Sequence, residues 1–355
     1  MSRSAGRTVG GIVGKMVGGI SLIPARLYQR YRSLCDRLPL ALGMAGLFTL
    51  TARATGVFPE DWRIFIAASL LIAGLIIPMA GYVFFVLALA LPLYSISIYI
   101  AALSLAILIL PIFFLNRHLA AVVLILAAPI LSQHRIALMI PFLAGMWWFE
   151  WGGVLAGLGG AAWLKIFAGM CRVTSDLTQL SGQPLAADQL IARFHEANSL
   201  QTLLWSVQPL ASDSQTLLLH ILQILAWGLA GYGVGLVRRR IDSMQRPGVG
   251  LVAGISAGLL GFGVGSVGIP LALDLLEVSD VHLSFLMECS WNGAGAMGAY
   301  AVHRSLARPV VTPSPNRIDP YRPPIRPALE PDPNPVVRPQ SRDEEQMDII
   351  MIDLD

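Results

Sequence analysis

Apolar residues run along this chain in blocks too long for one face of a soluble helix, and short polar clusters divide the blocks. The first clear block spans about Leu38 to Phe58, with Arg53 near its far end, and the polar turn Pro59–Trp62 follows it. From Ile64 to Leu115 no charged residue occurs. At 1.5 Å per residue that stretch makes roughly 78 Å of helix, enough for two full bilayer crossings or three short ones. Pro78 with Gly81, and Pro92 with Tyr94 and Ser95, are natural breaks, so three short spans are expected. After the interruption Asn116–His118, the run Leu119–Leu131 is short for a crossing and reads as tilted, re-entrant or buried in protein. Ile136–Phe149 and Trp151–Met170 come next, and the blocks resume at Leu217–Val237, Val249–Leu273 and Leu283–Val302.

This pattern predicts an all-α, polytopic transmembrane helix bundle of about ten spans, some short or broken. Its expected organisation is a basic, Gly-rich and amphipathic segment over 1–37, then a first group of transmembrane helices over 38–170. A polar connecting loop with an amphipathic helix covers 171–214, and a second group of spans covers 215–303. A Pro-rich linker over 304–342 and an acidic-hydrophobic end over 343–355 complete the chain.

Composition agrees. The 355 residues are 55% hydrophobic and 13% charged, against about a quarter charged in soluble domains. Charge also sets orientation. Arg3, Arg7, Lys15, Arg26, Arg30, Arg32 and Arg37 face one acid, Asp36, before the first long block, and Arg238–Arg240 end a later one. Basic flanks resist translocation, so both chain ends are expected on the cytoplasmic side of a cell inner membrane. The basic residues come with no nucleic-acid module, so the partners expected are the lipid bilayer and proteins, not nucleic acid. Oligomers through Gly-rich helices are a further expectation.

Candidate chemistry is sparse. Glu150 and Lys165 lie about 22 Å apart along one helix and cannot pair directly. Trp147, Trp148 and Trp151 surround Glu150 as an interfacial belt would, and Lys165 has a stem able to snorkel. They are expected to mark the edges of a span. Glu288 is the candidate intramembrane polar residue, since a deep carboxylate is functional by default. An interfacial helix would leave it solvated, and both readings stand. The six histidines show no metal-ligand spacing, and Cys35, Cys171 and Cys289 show no paired spacing, so no metal, cofactor or catalytic residue is expected. Gly263, Gly265 and Gly268 form a GxGxxG, but apolar helix-like sequence stands on both sides where a nucleotide site needs a preceding strand. Glycine-lined helix contact is the expectation there. The same holds for Gly153, Gly157, Gly250, Gly254 and Gly258.

The tail differs. Residues 309–339 hold eleven prolines and no apolar periodicity, a composition that cannot bury a core and favours a disordered, extended linker. It leads to a short apolar run set among acids, with Met347, Ile349, Ile350, Met351, Ile352 and Leu354. That end fits a docking peptide which adds to a partner's sheet edge.

The block from Ile140 to Met170, with the run His220–Arg240, resembles the multi-span membrane region of some bacterial membrane-bound serine/threonine kinases, without the kinase domain. The order of proline, Leu143-Ala144-Gly145 and spaced glycines is also similar to substrate-binding components of energy-coupling factor vitamin transporters. The expected function is a non-enzymatic membrane anchor or scaffold that recruits a cytosolic partner through its tail, with signalling as its setting. The alternative is a small-solute binding or transport component.

Overall fold

The structure, a computed structural model, describes residues 24, 26–114, 118–183, 187–242, 247–277 and 283–307. The chain divides into the units Met1–Val310 and Val311–Asp355, and all described residues belong to the first. The tail residues Met347, Ile349, Ile350, Met351, Ile352 and Leu354 lie outside the described residues, as do the glycines of the N-terminal segment.

Among the described residues the fold is all-α. Helices α1 (Arg32–Thr55), α2 (Glu60–Ile76), α3 (Pro78–Ile96) and α4 (Ile98–Phe114) are followed by the short α5 (Leu119–Leu126) and α6 (Ala128–Gln133). The long α7 (Met139–Met170) leads into α8 (Leu177–Leu180), α9 (Ala187–Phe194) and α10 (Ser199–Val207). Then come α11 (Ser214–Asp242), α12 (Pro247–Gly263), a π-helical turn at Val264–Gly268, α13 (Ile269–Ala272) and α14 (Leu283–Ala307). Five stretches are long and apolar enough to cross a membrane: Arg32–Thr55, Pro78–Ile96, Met139–Met170, Ser214–Arg240 and Val249–Ala272. They mark a multi-pass membrane protein.

Local chemistry sets the breaks. α1 ends at Gly56, whose left-handed φ of 65° turns its N–H back onto Ala52 O. Glu60 and Asp61 open α2, where acids complement the helix dipole. Ile77 is extended before Pro78, which starts α3 at the position proline tolerates best. The expected break at Pro92–Ser95 falls instead at Ser97, with Pro92 carried inside α3. The run expected to be tilted or buried is α5 and α6, parted at Ala127 just before Pro129. The GxGxxG lies at the end of α12 and in the π-helical turn before Pro270, with helix on both sides.

α7 is not a straight rod. Trp148 (φ −116°, ψ 15°) and Phe149 (φ 58°, ψ −156°) leave helical geometry, and the first limb doubles back along the second. A Cβ on Gly153 would lie 2.9 Å from the Gly145 Cα, and one on Gly160 would lie 3.3 Å from Ile140 Cγ2. The two sequence blocks on either side of Glu150 are thus antiparallel limbs of one hairpin. Both pack on α11. Gly157 lies against the backbone of Trp227 and Gly228, Gly153 and Gly145 against Gly231, and Lys165 against His220. The second limb and α11 therefore run antiparallel, at the close approach that small residues permit in lipid.

The core has two parts. One joins α1, α2, α3, α4 and α5 around Phe48, Tyr82 and Phe85. The other joins both limbs of α7 with α11, α12 and α14 around Phe142, Trp227 and Phe262.

Candidate functional site: an apolar cavity and a buried lysine

A cavity of about 390 Å³ lies between the two parts of the core. Its deep end is lined by Leu47 of α1, Phe85 and Leu89 of α3 and Leu108 of α4. Trp163, Phe167 and Met170, on one face of α7, close a side. The Trp163 indole nitrogen donates to Leu126 O at 3.3 Å, so it presents no free donor. Hydrogen-bonding groups gather toward the other end: Thr51 and Thr55 in the last turns of α1, Ser104 of α4, and Gln133 and His134 at the end of α6. Leu190 and Ile191 of α9 cover that end, while Asp188, Gln189 and His195 of the same segment are exposed. The volume falls in the range of small-molecule sites, about 300–1,000 Å³.

Close by, Lys165 is 0% exposed. Its Nζ donates to Ser175 O at 2.6 Å and to Gln223 Oε1 at 2.6 Å, and lies 2.8 Å from His220 Nδ1. Ser175 O, Gln223 Oε1 and His220 Nδ1 thus surround the amine, and the direction of the bond to the ring follows the histidine's tautomer. The backbone of Pro209 is the ring's other hydrogen-bond partner. Gln223 Nε2 in turn donates to Asp176 Oδ1 at 2.5 Å, and the same oxygen caps α8 by accepting from Thr178 N at 3.0 Å. Lys165 and Asp176 are thus joined through the Gln223 amide. The network fastens the 171–180 turn to α7 and α11. The expectation that Lys165 snorkels outward is overturned: its helix face is turned onto α11, and three polar atoms meet it inside.

Glu150 stands at the α7 bend and pairs with Arg239 at 3.2 Å. Arg238 lies over the rings of Phe149 (4.9 Å) and Tyr300 (4.8 Å). Glu288, near the start of α14, is partly buried and pairs with Arg135 at 3.4 Å. Asn292, one turn on, donates to Arg135 O at 2.9 Å. Gly254 and Gly258 face Val234 and Ala230 of α11, and Gly250 is buried beside Arg238 and Tyr300. Among the described residues, no group of three His, Cys, Asp or Glu side chains is placed to hold a metal ion.

The lysine network was missed in the sequence, yet it left a signal. His220 and Gln223 are three residues apart, hence on one face of a helix of membrane length, and Lys165 is the only charge between Trp151 and Met170. The cavity left none, because its walls come from seven helices spread over residues 47–191. No protein-family model, no curated protein and no solved structure matches this chain.

Proposed function

We propose that this protein is a binding component of a membrane, holding a small and largely apolar ligand in the cavity. The observation that carries this is the cavity itself: about 390 Å³, apolar at depth, with polar groups gathered at one end. The mostly apolar lining suits a site that holds a ligand, which supports binding or transport. The test is thermal melting of the delipidated, detergent-solubilised protein with a panel of apolar solutes and lipids. A ligand at a hundred times its Kd adds about 2.7 kcal/mol of stability. Leu89→Trp and Ile100→Trp, which fill the cavity from different helices, should keep the fold and lose the response. A panel without effect on the unaltered protein overturns the reading.

The topology proposed with it is about ten crossings with both chain ends cytoplasmic. Alternating helix directions support the count, with α5–α6 and each limb of α7 taken as crossings. Tyr28 Oη lies 3.2 Å from His303 Nε2, so the chain enters and leaves the bundle at one end. Trp147 packs edge-on against the same His303, which brings the α7 bend, and with it Arg238–Arg240, to that end.

That junction also favours a second reading, in which the protein is a scaffold and the segment with Met347, Ile349, Ile350, Met351, Ile352 and Leu354 docks a cytosolic partner. α14, the last described helix, ends where the arginines gather, the side this reading takes as cytoplasmic. Deleting residues 343–355 should abolish co-purification of that partner and leave insertion intact. Retention of the partner by the truncated chain removes this reading.

A further inference from the structure

We infer that the ligand of the cavity is an acyl chain of a bilayer lipid, which enters sideways between α1 and α4 with its polar end at Gln133 and His134. This rests on the binding reading above and names the ligand class. Three observations carry it.

The first is the wall. Leu50 and Ala54 of α1 and Ile107 of α4 line the cavity and are exposed, Leu50 at 48% and Ile107 at 41%. α1 packs on α2, α3, α5 and α9, and α4 packs on α3 and α10, so α1 and α4 share no extensive contact with each other and a seam runs between them. Leu110 and Phe113, further along α4, are also exposed, so the seam opens onto an apolar surface of the kind acyl chains cover. The exposed lining residues Leu50 and Ile107 thus border that surface.

The second is the cap. α9 turns Leu190 and Ile191 inward and leaves Asp188 and Gln189 exposed, the pattern of a helix between an apolar interior and water. It lies against α1 and α3, across the end of the cavity. A molecule arriving from water meets α9, whereas one arriving from lipid meets the Leu50–Ile107 seam.

The third is the polarity gradient. Thr51 and Thr55 already donate to Leu47 O and Thr51 O, which leaves Gln133 and His134 as the exposed hydrogen-bonding side chains on the rim. They sit at the end of α6 nearest the water boundary marked by α9, where a headgroup belongs. The deep residues Leu47, Phe85 and Leu108 offer no hydrogen bond from a side chain, as a methylene chain requires. Mass action agrees. Lipid tails are as apolar as leucine, so transfer from bilayer to cavity has little hydrophobic driving force. What favours occupancy is the dispersion contact that an unfilled void forgoes, together with lipid present as the solvent. A dilute apolar solute must compete with that solvent.

The full chain is reconstituted into vesicles of phosphatidylethanolamine and phosphatidylglycerol that carry a trace of phospholipid with a photoactivatable group in its acyl chain. After illumination, labelled peptides are mapped by mass spectrometry. Label is expected on peptides holding Phe85–Leu89 and Ser104–Leu108, and its loss there in Leu89→Trp and Ile100→Trp, with label on exposed Phe113 unchanged. Ala54→Trp, which narrows the seam alone, should slow exchange of labelled lipid into the cavity and leave the final occupancy as it was. Labelling of the cavity peptides that persists in both filled variants overturns the inference, as does labelling no higher than at residues buried elsewhere. If lipid label is absent but a water-soluble solute still raises the melting temperature of the unaltered protein and not of the filled variants, the binding reading stands and the acyl-chain inference falls. If neither occurs, both fall.

Discussion

Lys165 Nζ lies 2.8 Å from His220 Nδ1, although the two residues are 55 positions apart. The contact joins the second limb of α7 to the first turns of α11, and Ser175 O and Gln223 Oε1 complete the amine's partners. Replacing Lys165 with Met takes the partner from Ser175 O and His220 Nδ1 and leaves Gln223 Oε1 with Leu177 N alone. A buried polar group left unsatisfied costs about 1–3 kcal/mol. Lys165→Met should therefore lower the melting temperature of the solubilised protein sharply and expose the 171–180 turn to limited proteolysis. Glu150→Gln is the control. Its partner Arg239 is largely exposed, and pairs of that kind contribute no more than about 1 kcal/mol.

Glycines at the α7–α11 contact should tolerate nothing larger. A Cβ on Gly157 would come within 2.7 Å of the Trp227 carbonyl carbon, against backbone that cannot rotate away. A Cβ on Gly46 of α1 would have nothing within 4 Å. Gly157→Ala should destabilise by about 1–3 kcal/mol, the usual cost of overpacking. Gly46→Ala should be neutral or stabilising by up to about 1 kcal/mol through helix propensity. Denaturation of the two variants in the same detergent tests the contrast.

Cysteine reactivity follows burial. Cys171, just past the end of α7, is buried, and burial pushes its thiol up to about 11, with Arg193 opposing the shift. The neutral thiol is the folded form, so its contribution to stability is full below the ordinary value of about 8.5 and fades as pH rises toward 11. Alkylation at pH 8 should label the half-buried Cys35 first and leave Cys171 unmodified until the protein unfolds. Fast labelling of Cys171 in the folded protein would contradict its placement.

α10 is turned inside out relative to a helix in water. Thr202 and Ser206 face α7, while Leu200 is 73% exposed and Leu203, Leu204 and Val207 lie outward with it. Small residues inward and leucines outward is the packing lipid favours. Nitroxide labels at Leu203 and Leu204 in proteoliposomes should collide more often with oxygen than with a water-soluble nickel chelate, and a label at Asp213 should show the reverse.

Much of the fold was legible because a bilayer imposes its length on the sequence. The three helices over 60–114, the division into two blocks at Glu150 and the helical reading of Gly263–Gly268 follow from apolar run lengths and polar interruptions, whereas the sharp bend at Trp148–Phe149 was not foreseen. The facing of side chains was not legible. In an all-apolar helix such as α7 the 3.6-residue period carries no contrast between inside and outside, so the sequence did not reveal whether Lys165 pointed to an interface or to α11. For Glu288 both burial and solvation were open, and its partner Arg135 lies on a segment 153 residues earlier, beyond any local pattern. Polarity misled for α10 as well: the 171–214 stretch is more polar than its neighbours, yet one of its helices turns leucines outward.

The most direct test is the sidedness of the two ends of the bundle. In a cysteine-free background, Gln189→Cys on α9 and Ser305→Cys on α14 are each exposed to a membrane-impermeant thiol reagent, in intact cells and in inverted membrane vesicles. A bundle that crosses lipid with its arginine-rich end inward predicts labelling of position 189 from outside only and of position 305 from inside only. Labelling of both positions from the same side, or recovery of the protein without detergent in the soluble fraction, would contradict it.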